Sequence, residues 1–472
     1  MERTIIGRTG ERKILEECYK SGKAEFVAIF GRRRVGKTYL VKQHFKDRID
    51  FYVTGIYEGN KEEQLATFNK ALNQYDKGTY PQVENWFDAF DQLKSLIVHS
   101  TKKRIVVFID ELPWFDTGKS RFVKALELFW NSWGADQEKL MLIVCGSATT
   151  WMTQKLIGSK GGLYNRITRS IRLAPWSLKE TAEYIESKGI KFNIAQTVEC
   201  YMILGGVPYY LDLLHKGKSL SQNIDDLFFS ANAPLRTEYK FLFQSLFKDS
   251  NNYARVINLL STKLKGMTQK EIKKELKLGD GGNLTEILNN LSECEFIRKY
   301  RAFGKNKREA LYQLIDLYSL FYLRFVGDDQ GKDPHYWSNL NNAPTRTSWQ
   351  GYAFENVCLH HLQQIREALG VQNIISNACS WVSNDEKNGA QIDLILERND
   401  QVVDLCEIKY CNTFYEITKD YAGWLTNRMD LFKAQSKTRK ALHLVMITPY
   451  GLKSNLYQGI VQNEITLEDL MK

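Results

Sequence analysis

The sequence has no apolar run near the ~18 residues that a membrane-crossing helix requires, so a protein built on membrane-spanning helices is not expected. It also has no CxxC pair. Its eight cysteines are scattered, and the closest two, Cys406 and Cys411, have no His or Cys at metal-ligand spacing. That argues against a zinc site or a disulfide framework and for free thiols in a reducing compartment. The opening stretch "MERTIIGRTGERK" is charged at once and lacks the apolar segment of a signal peptide, so a cytoplasmic location is expected.

At 472 residues the chain is long enough for about three domains. Its net charge of +10 is uneven. Residues 335–472 hold 13 Lys and Arg against 15 Asp and Glu, which leaves 52 against 40 before them. A basic surplus of that size in the first part permits contact with nucleic acid.

The stretch "AEFVAIFGRRRVGKTYLVKQHF" reads as an apolar strand, a glycine-containing turn and an amphipathic helix. The turn fits G-x-x-x-x-G-K-[ST], with Gly31, Arg32, Arg33, Arg34, Val35, Gly36, Lys37 and Thr38 in order. The two glycines let backbone N–H groups face phosphate oxygens at the positive end of a helix. Lys37 is expected at the β- and γ-phosphates of ATP, and the Thr38 hydroxyl on Mg²⁺. A second apolar run, "RIVVFIDELPWF", ends in Asp110 and Glu111. Asp110 is placed to bind Mg²⁺ and Glu111 to orient an attacking water. A third, "LMLIVCGSATT", reaches Ser147, either a γ-phosphate sensor or a plain turn serine. "GGLYNRITRSIRLAPW" carries Arg166, Arg169 and Arg172, which either stabilise phosphoryl charge, in cis or across a subunit contact, or form a solvated basic loop.

With "IIGRTGERKIL", "CGSATTWM" and "GGVPYYL" added, these segments resemble, in content and order, the archaeal-type ATPases of the AAA+/STAND group. The resemblance covers about the first half of the chain. It implies adenine-proximal contacts from Gly7 and Arg8, an arginine-finger role for Arg166, and a nucleotide-lining Pro208 on a helical lid. Asn165 stands where the family usually has a glycine.

Farther along, "SLKETAEYIESKG" and "NIAQTVECYMILGG" read as capped amphipathic helices of that lid. Residues 252–325 read as three helices and a hairpin, the order of a winged helix. Lys270, Lys273, Lys274 and Lys277, with Arg298, Lys299, Arg301, Lys305, Lys307 and Arg308 around the wing, suit either a nucleic-acid face or a protein-packing surface. The aromatic run "YQLIDLYSLFYLRFV" suits a core or a domain interface. "GDDQGKDPHYWSNLNNAPTRTSW" loses periodicity and reads as a linker.

In "AQIDLILERNDQVVDLCEIKY" two apolar strands flank a turn near Asn399–Gln401. Antiparallel pairing about that turn sets Asp393 opposite Glu407, at about 5 Å between Cβ atoms, with Lys409 on the Glu407 face. Two carboxylates that close repel unless a cation sits between them. Mg²⁺ or Mn²⁺ fits, with Lys409 positioned to help activate a metal-bound water. The plainer reading is a charged hairpin edge. A helix upstream carries Glu355, and a helix and an apolar strand follow. Residues 345–472 thereby resemble the PD-(D/E)XK nuclease-like domain often fused to archaeal-type ATPases. The resemblance implies Asp393 and Glu407 as metal ligands, Lys409 as catalytic lysine and Glu355 as the helix carboxylate. Ile392 replaces the motif's nominal proline.

The expected fold is α/β: a P-loop AAA+-type parallel sheet core (1–175), a helical lid (176–245), a winged-helix-like domain (246–328) and a restriction-endonuclease-like α/β domain (345–472). The expected function is ATP-dependent control of a metal-dependent nuclease acting on nucleic acid, DNA favoured, with nucleotide-dependent homo-oligomers. The alternative is a nucleotide-controlled switch or scaffold whose nuclease-like domain is inert and serves for binding.

Overall fold

A computed structural model describes residues 5–472 except 76–78, 159–161, 164, 245, 248, 278–282, 306–308, 328–332, 342 and 384–388. The chain divides into two compact units, Met1–Pro175 and Trp176–Lys472.

Five strands make the sheet of the first unit: β1 (Glu25–Phe30), β2 (Ile49–Thr54), β3 (Ile105–Asp110), β4 (Leu140–Gly146) and β5 (Arg169–Arg172). All pair in parallel, in the order β2-β3-β4-β1-β5. β1, β3 and β4 are buried along their whole length, which is why they read as unbroken apolar runs rather than alternating ones. Alternate residues serve opposite faces. Phe26, Ala28 and Phe30 join a core with Trp86, Phe90 and Phe129, while Val27 and Ile29 pack with Leu40, Val41 and Phe45. Parallel pairing puts the C-terminal ends of the strands on one edge. The turns after Phe30, Asp110 and Gly146 therefore meet there.

The second unit opens with helices. Ser177 and Glu180 form a capping box on Leu178–Ser187, and Asn193 and Gln196 do the same for Ile194–Leu204. Three helices, Ser250–Ser261, Gln269–Glu275 and Asn283–Glu293, then accompany β6 (Met267–Thr268), β7 (Ile297–Tyr300) and β8 (Leu311–Leu314). These strands pair antiparallel in the order β6-β8-β7. The last sheet holds β9 (Ser376–Val382), β10 (Gln391–Arg398), β11 (Val402–Ile408), β12 (Ala441–Ile447) and β13 (Asn463–Ile465), side by side in chain order. β9, β10 and β11 run antiparallel, and β11, β12 and β13 run parallel.

Two sequence-based expectations change. The expected linker is built into the core where it is described. Trp337 is fully buried against Phe321, Phe325 and Trp349, and Asp225 accepts hydrogen bonds from the Trp337 and Ser338 amides. The aromatic run before it supplies that core, with Tyr318 and Phe321 fully buried. The second concerns the basic hairpin, left open between a nucleic-acid face and a packing surface: its described residues pack against protein in part. Ala302 bridges to Ser380 of β9, the Phe303 amide donates to the Ser380 carbonyl at 2.7 Å, and Phe303 packs edge-on against Phe432. Arg298 is turned inward, its Nε donating to Gln313 at 2.7 Å and its guanidinium lying over Tyr300. Lys299, Arg301 and Lys305 remain exposed, and Lys307 and Arg308 lie outside the described residues.

A buried ion pair ties the Glu355 helix, Pro344–His360, to the helix Ile194–Leu204. Arg346 Nε and Nη2 both donate to Glu199 Oε1, at 3.0 and 2.7 Å. Arg346→Ala strands the Glu199 charge, so urea unfolding should show a loss of roughly 3–5 kcal/mol, whereas the paired replacement R346M/E199L should cost far less.

Candidate functional site

The first centre lies on the C-terminal edge of the parallel sheet. β1 ends at Phe30, and the chain turns through Gly31–Gly36 into the helix Lys37–Phe45. Gly31 is required because a Cβ there would come 2.2 Å from the Leu173 carbonyl oxygen. Gly36 adopts φ +88, and a Cβ there would meet no atom within 4 Å, so this side of the loop is open. Arg34 is also left-handed, at φ 74. Lys37 is buried, and its ammonium donates to the Gly31 and Arg32 carbonyls at 2.9 and 3.0 Å, which holds it at the centre of the loop. Val35 and Arg32 are buried beneath, while Arg33 is half-buried. Gly7 and Arg8 are left-handed, and Arg8 braces the loop by donating to the carbonyls of Ala174 (2.6 Å) and Val35 (3.4 Å).

The Thr38 hydroxyl donates to Asp110 Oδ2 at 2.8 Å. Burial pushes the Asp110 carboxyl above its ordinary range, and the Thr38 hydrogen bond opposes this. A hydroxyl and a strained carboxylate side by side suit Mg²⁺, which would relieve the burial penalty. Glu111 follows in a left-handed conformation (φ 46), which turns it out of the strand direction. Its two oxygens accept from the Ser147 hydroxyl (2.5 Å) and the Ser147 amide (3.0 Å). Ser147 thus fixes the Glu111 carboxylate. Arg166 is exposed and precedes β5, whose register pairs Arg169 with Val27, so it lies toward the N-terminal edge of the sheet. Pro208 opens the helix Pro208–Asp212 of the second unit.

The second centre lies on the sheet of β9–β13. β10 and β11 pair Leu394 with Cys406 and Ile395 with Leu405, the register expected from the sequence, so Asp393 and Glu407 lie together at the end of that ladder. Against β9, β10 carries an irregularity between Ile392 and Ile395, which re-aims the chain at Asp393. The charges of Asp393, Lys409 and Glu407 act on Glu355, that of Glu407 acts on Asp393, and that of Lys409 acts on Glu407. Burial, then the neighbouring Asp393, pushes the Glu355 carboxyl up to about 8. Asp393 is also raised, by burial first, while a hydrogen bond from Gln391 opposes the shift.

Glu407 behaves oppositely to these two carboxyls. Burial acts to raise its carboxyl, yet Arg428, Lys409 and Tyr421 together hold it below the usual range. Arg428 donates to Oε2, Tyr421 donates to Oε1 at 2.6 Å, and the Lys409 ammonium lies 3.0 Å from Oε1. Among the described residues no three His, Cys, Asp or Glu side chains are grouped closely enough to hold a metal. Arg428 and Tyr421 were missed in the sequence, although Tyr421, Trp424 and Arg428 recur at the spacing of one helix face, and the structure stacks Tyr421 on Trp424 with Arg428 beyond it. Gln391 gave no such signal.

All eight cysteines are free thiols, seven of them buried, and among the described residues no helix is long and apolar enough to cross a membrane.

Glu355 gives a pH test. Unfolded, its carboxyl ionises near 4.5, whereas folded it keeps its proton to about 8. The native state binds more protons in between, so stability falls as pH rises through that window. Glu355→Gln cannot ionise, so thermal unfolding should show its melting temperature gaining on wild type from pH 4.5 to pH 8 and holding a constant margin above.

Residues 6–214 match the model of an ATPase domain found predominantly in Archaea. Over 414 residues the chain is 25% identical to an uncharacterized protein of Methanocaldococcus jannaschii, covering 86% of this chain and 87% of that one. Among solved structures it is similar to the Walker-type ATPase of Pyrococcus abyssi, at 17% identity and a TM-score of 0.48, covering 68% of this chain and 96% of that one. It is also similar to the ORC2 protein of Aeropyrum pernix, at 14% identity and a TM-score of 0.42, covering 68% and 95%. The family match takes in the loop Gly31–Thr38, Asp110, Glu111 and Ser147, so residues 6–214 are an ATPase domain of the archaeal P-loop type.

Proposed function

We propose that this protein hydrolyses ATP to control or position a metal-dependent phosphodiesterase, formed by residues 345–472, that cleaves nucleic acid, DNA being favoured. The observation that carries the second half is one group of side chains in which burial raises both Glu355 and Asp393, next to Glu407 and its Lys409 partner. Carboxylates in that condition are relieved by a divalent cation. The sheet supports the reading: an antiparallel hairpin carrying Asp393 and Glu407 continues into parallel strands, with the Glu355 helix beside it.

At the ATP site, Lys37 and the loop amides would receive the phosphates, Thr38 and Asp110 would hold Mg²⁺, and Glu111, fixed by Ser147, would orient water. Arg166 would stabilise phosphoryl charge, in cis or across a contact in a homo-oligomer. In the nuclease-like domain Asp393 and Glu407 would hold a Mg²⁺ or Mn²⁺ ion, which would supply Lewis acidity toward a phosphate oxygen, and Lys409 would position the attacking water. Residues 250–314 are read as a winged helix, from three helices and the strand order β6-β8-β7.

A second reading is favoured by the three-way hold on Glu407. If Arg428 never yields, the domain is an inert binding module under nucleotide control.

The test is a cleavage assay on single- and double-stranded DNA and on RNA, with Mg²⁺ or Mn²⁺, with and without ATP. Wild type should cut and Asp393→Ala should lose at least about 100-fold, while Lys37→Ala abolishes ATP binding and any ATP dependence of cutting. Wild-type cutting by Asp393→Ala removes the site assignment, and no cutting by any protein leaves the binding-module reading. In the same preparations, Glu111→Gln should retain ATP binding and lose about 100-fold in turnover, measured by phosphate release.

A further inference from the structure

The turn that precedes β6 is unusually well fixed for an exposed segment. The Leu264 carbonyl accepts from Gln313 Nε2 at 2.7 Å and from the Tyr352 hydroxyl at 3.2 Å. The Lys265 carbonyl accepts from the Tyr300 hydroxyl at 2.6 Å. Gly266 closes the turn at φ +78, where a Cβ would come 2.6 Å from the Tyr312 carbonyl oxygen, and its amide donates to the Lys263 carbonyl at 2.7 Å. The backbone is thus pinned from two sides, by β7 and β8 and by the helix Pro344–His360.

Tyr352 and Glu355 are three residues apart on that helix, so they share a face. The hydrogen bond from Tyr352 therefore sets the turn beside the Glu355 carboxylate. The Lys265 side chain is exposed, and its charge is felt by both Glu355 and Asp393. Arg298 lies deeper on the same side, committed to Gln313 and Tyr300, and its charge also reaches Asp393. The wing is anchored on β9 through Ala302 and Phe303. The module carrying β6–β8 thereby borders the site of Glu355, Asp393, Glu407 and Lys409.

We propose that Lys265 is a substrate-binding residue of this site, contacting a backbone phosphate of the nucleic acid next to the bond that is cut. The inference rests on the nuclease reading for its position in a reaction, but its binding component stands separately. An exposed ammonium on a rigid turn neutralises one phosphate and leaves sequence unread. The β6–β8 module thus serves the site through this turn, and its wing serves as an anchor rather than as a probe of a DNA groove.

The experiment compares wild type, Lys265→Ala, Lys265→Arg and Asp393→Asn. Binding of a fluorescein-labelled DNA oligonucleotide, single-stranded and duplex, is followed by anisotropy over a salt series, and cleavage kinetics are measured with Mn²⁺. Lys265→Ala should raise KM and the dissociation constant about ten-fold, change kcat by less than about two-fold, and lower the salt slope by about 1. Lys265→Arg should restore both constants. Unchanged binding and KM in Lys265→Ala, or faster cutting through release of an inhibitory contact, overturns the proposal. If no protein cuts, the nuclease reading fails, and the binding comparison still decides Lys265: equal affinities and salt slopes for wild type and Lys265→Ala reject it.

Discussion

A charge taken out of water must meet a partner or change its protonation, and both chemical centres are arranged around that constraint. In the ATPase domain the buried cation Lys37 is met by two loop carbonyls, and the buried Asp110 by the Thr38 hydroxyl. Phosphate and Mg²⁺ are the groups that would complete this pattern, because they carry the opposite charges in the same places. In the second unit the constraint divides three carboxylates into two kinds. Glu407 keeps its charge because Arg428, Lys409 and Tyr421 surround it, whereas Glu355 and Asp393 are pushed toward their neutral forms.

That division sets what the second centre can do. Glu407 is held by three partners, while burial raises Glu355 and Asp393, the carboxyls whose burial cost a nearby cation would relieve most. The cations supplied from outside the sheet, Lys265 and Arg298, tie the β6–β8 module to the same electrostatic problem. Packing follows suit: the wing rests on β9, and Tyr352 links the Glu355 helix to the turn at Leu264. A module whose helix order suggested a DNA reader is therefore committed, through its wing, to supporting a neighbouring sheet.

Much was legible in the residues alone. The loop Gly31–Thr38, Asp110 and Glu111 were readable because parallel sheets bury whole strands and place chemistry at their C-terminal ends. The pairing of β10 with β11 was readable because a hairpin's register follows from its turn. The surroundings of Ser147 and Arg166 were not legible. The hold of Ser147 on Glu111 joins two different strands, and the position of Arg166 depends on which end of β5 it precedes. The stretch around Trp337 read as a linker because polar, aperiodic residues carry no signal for a single tryptophan that fills a core.

The sequence by itself determined the nucleotide-binding loop, the strand–turn–helix that presents it, and the opposition of Asp393 and Glu407, since each depends on spacing along a single segment. Only the tertiary structure decided that Arg428 and Tyr421 close around Glu407, that burial raises Glu355 and Asp393, and that the charge of Lys265 acts on both. Those outcomes depend on burial and on distances between segments far apart in the chain, and electrostatic energies in a low-dielectric interior change steeply with both.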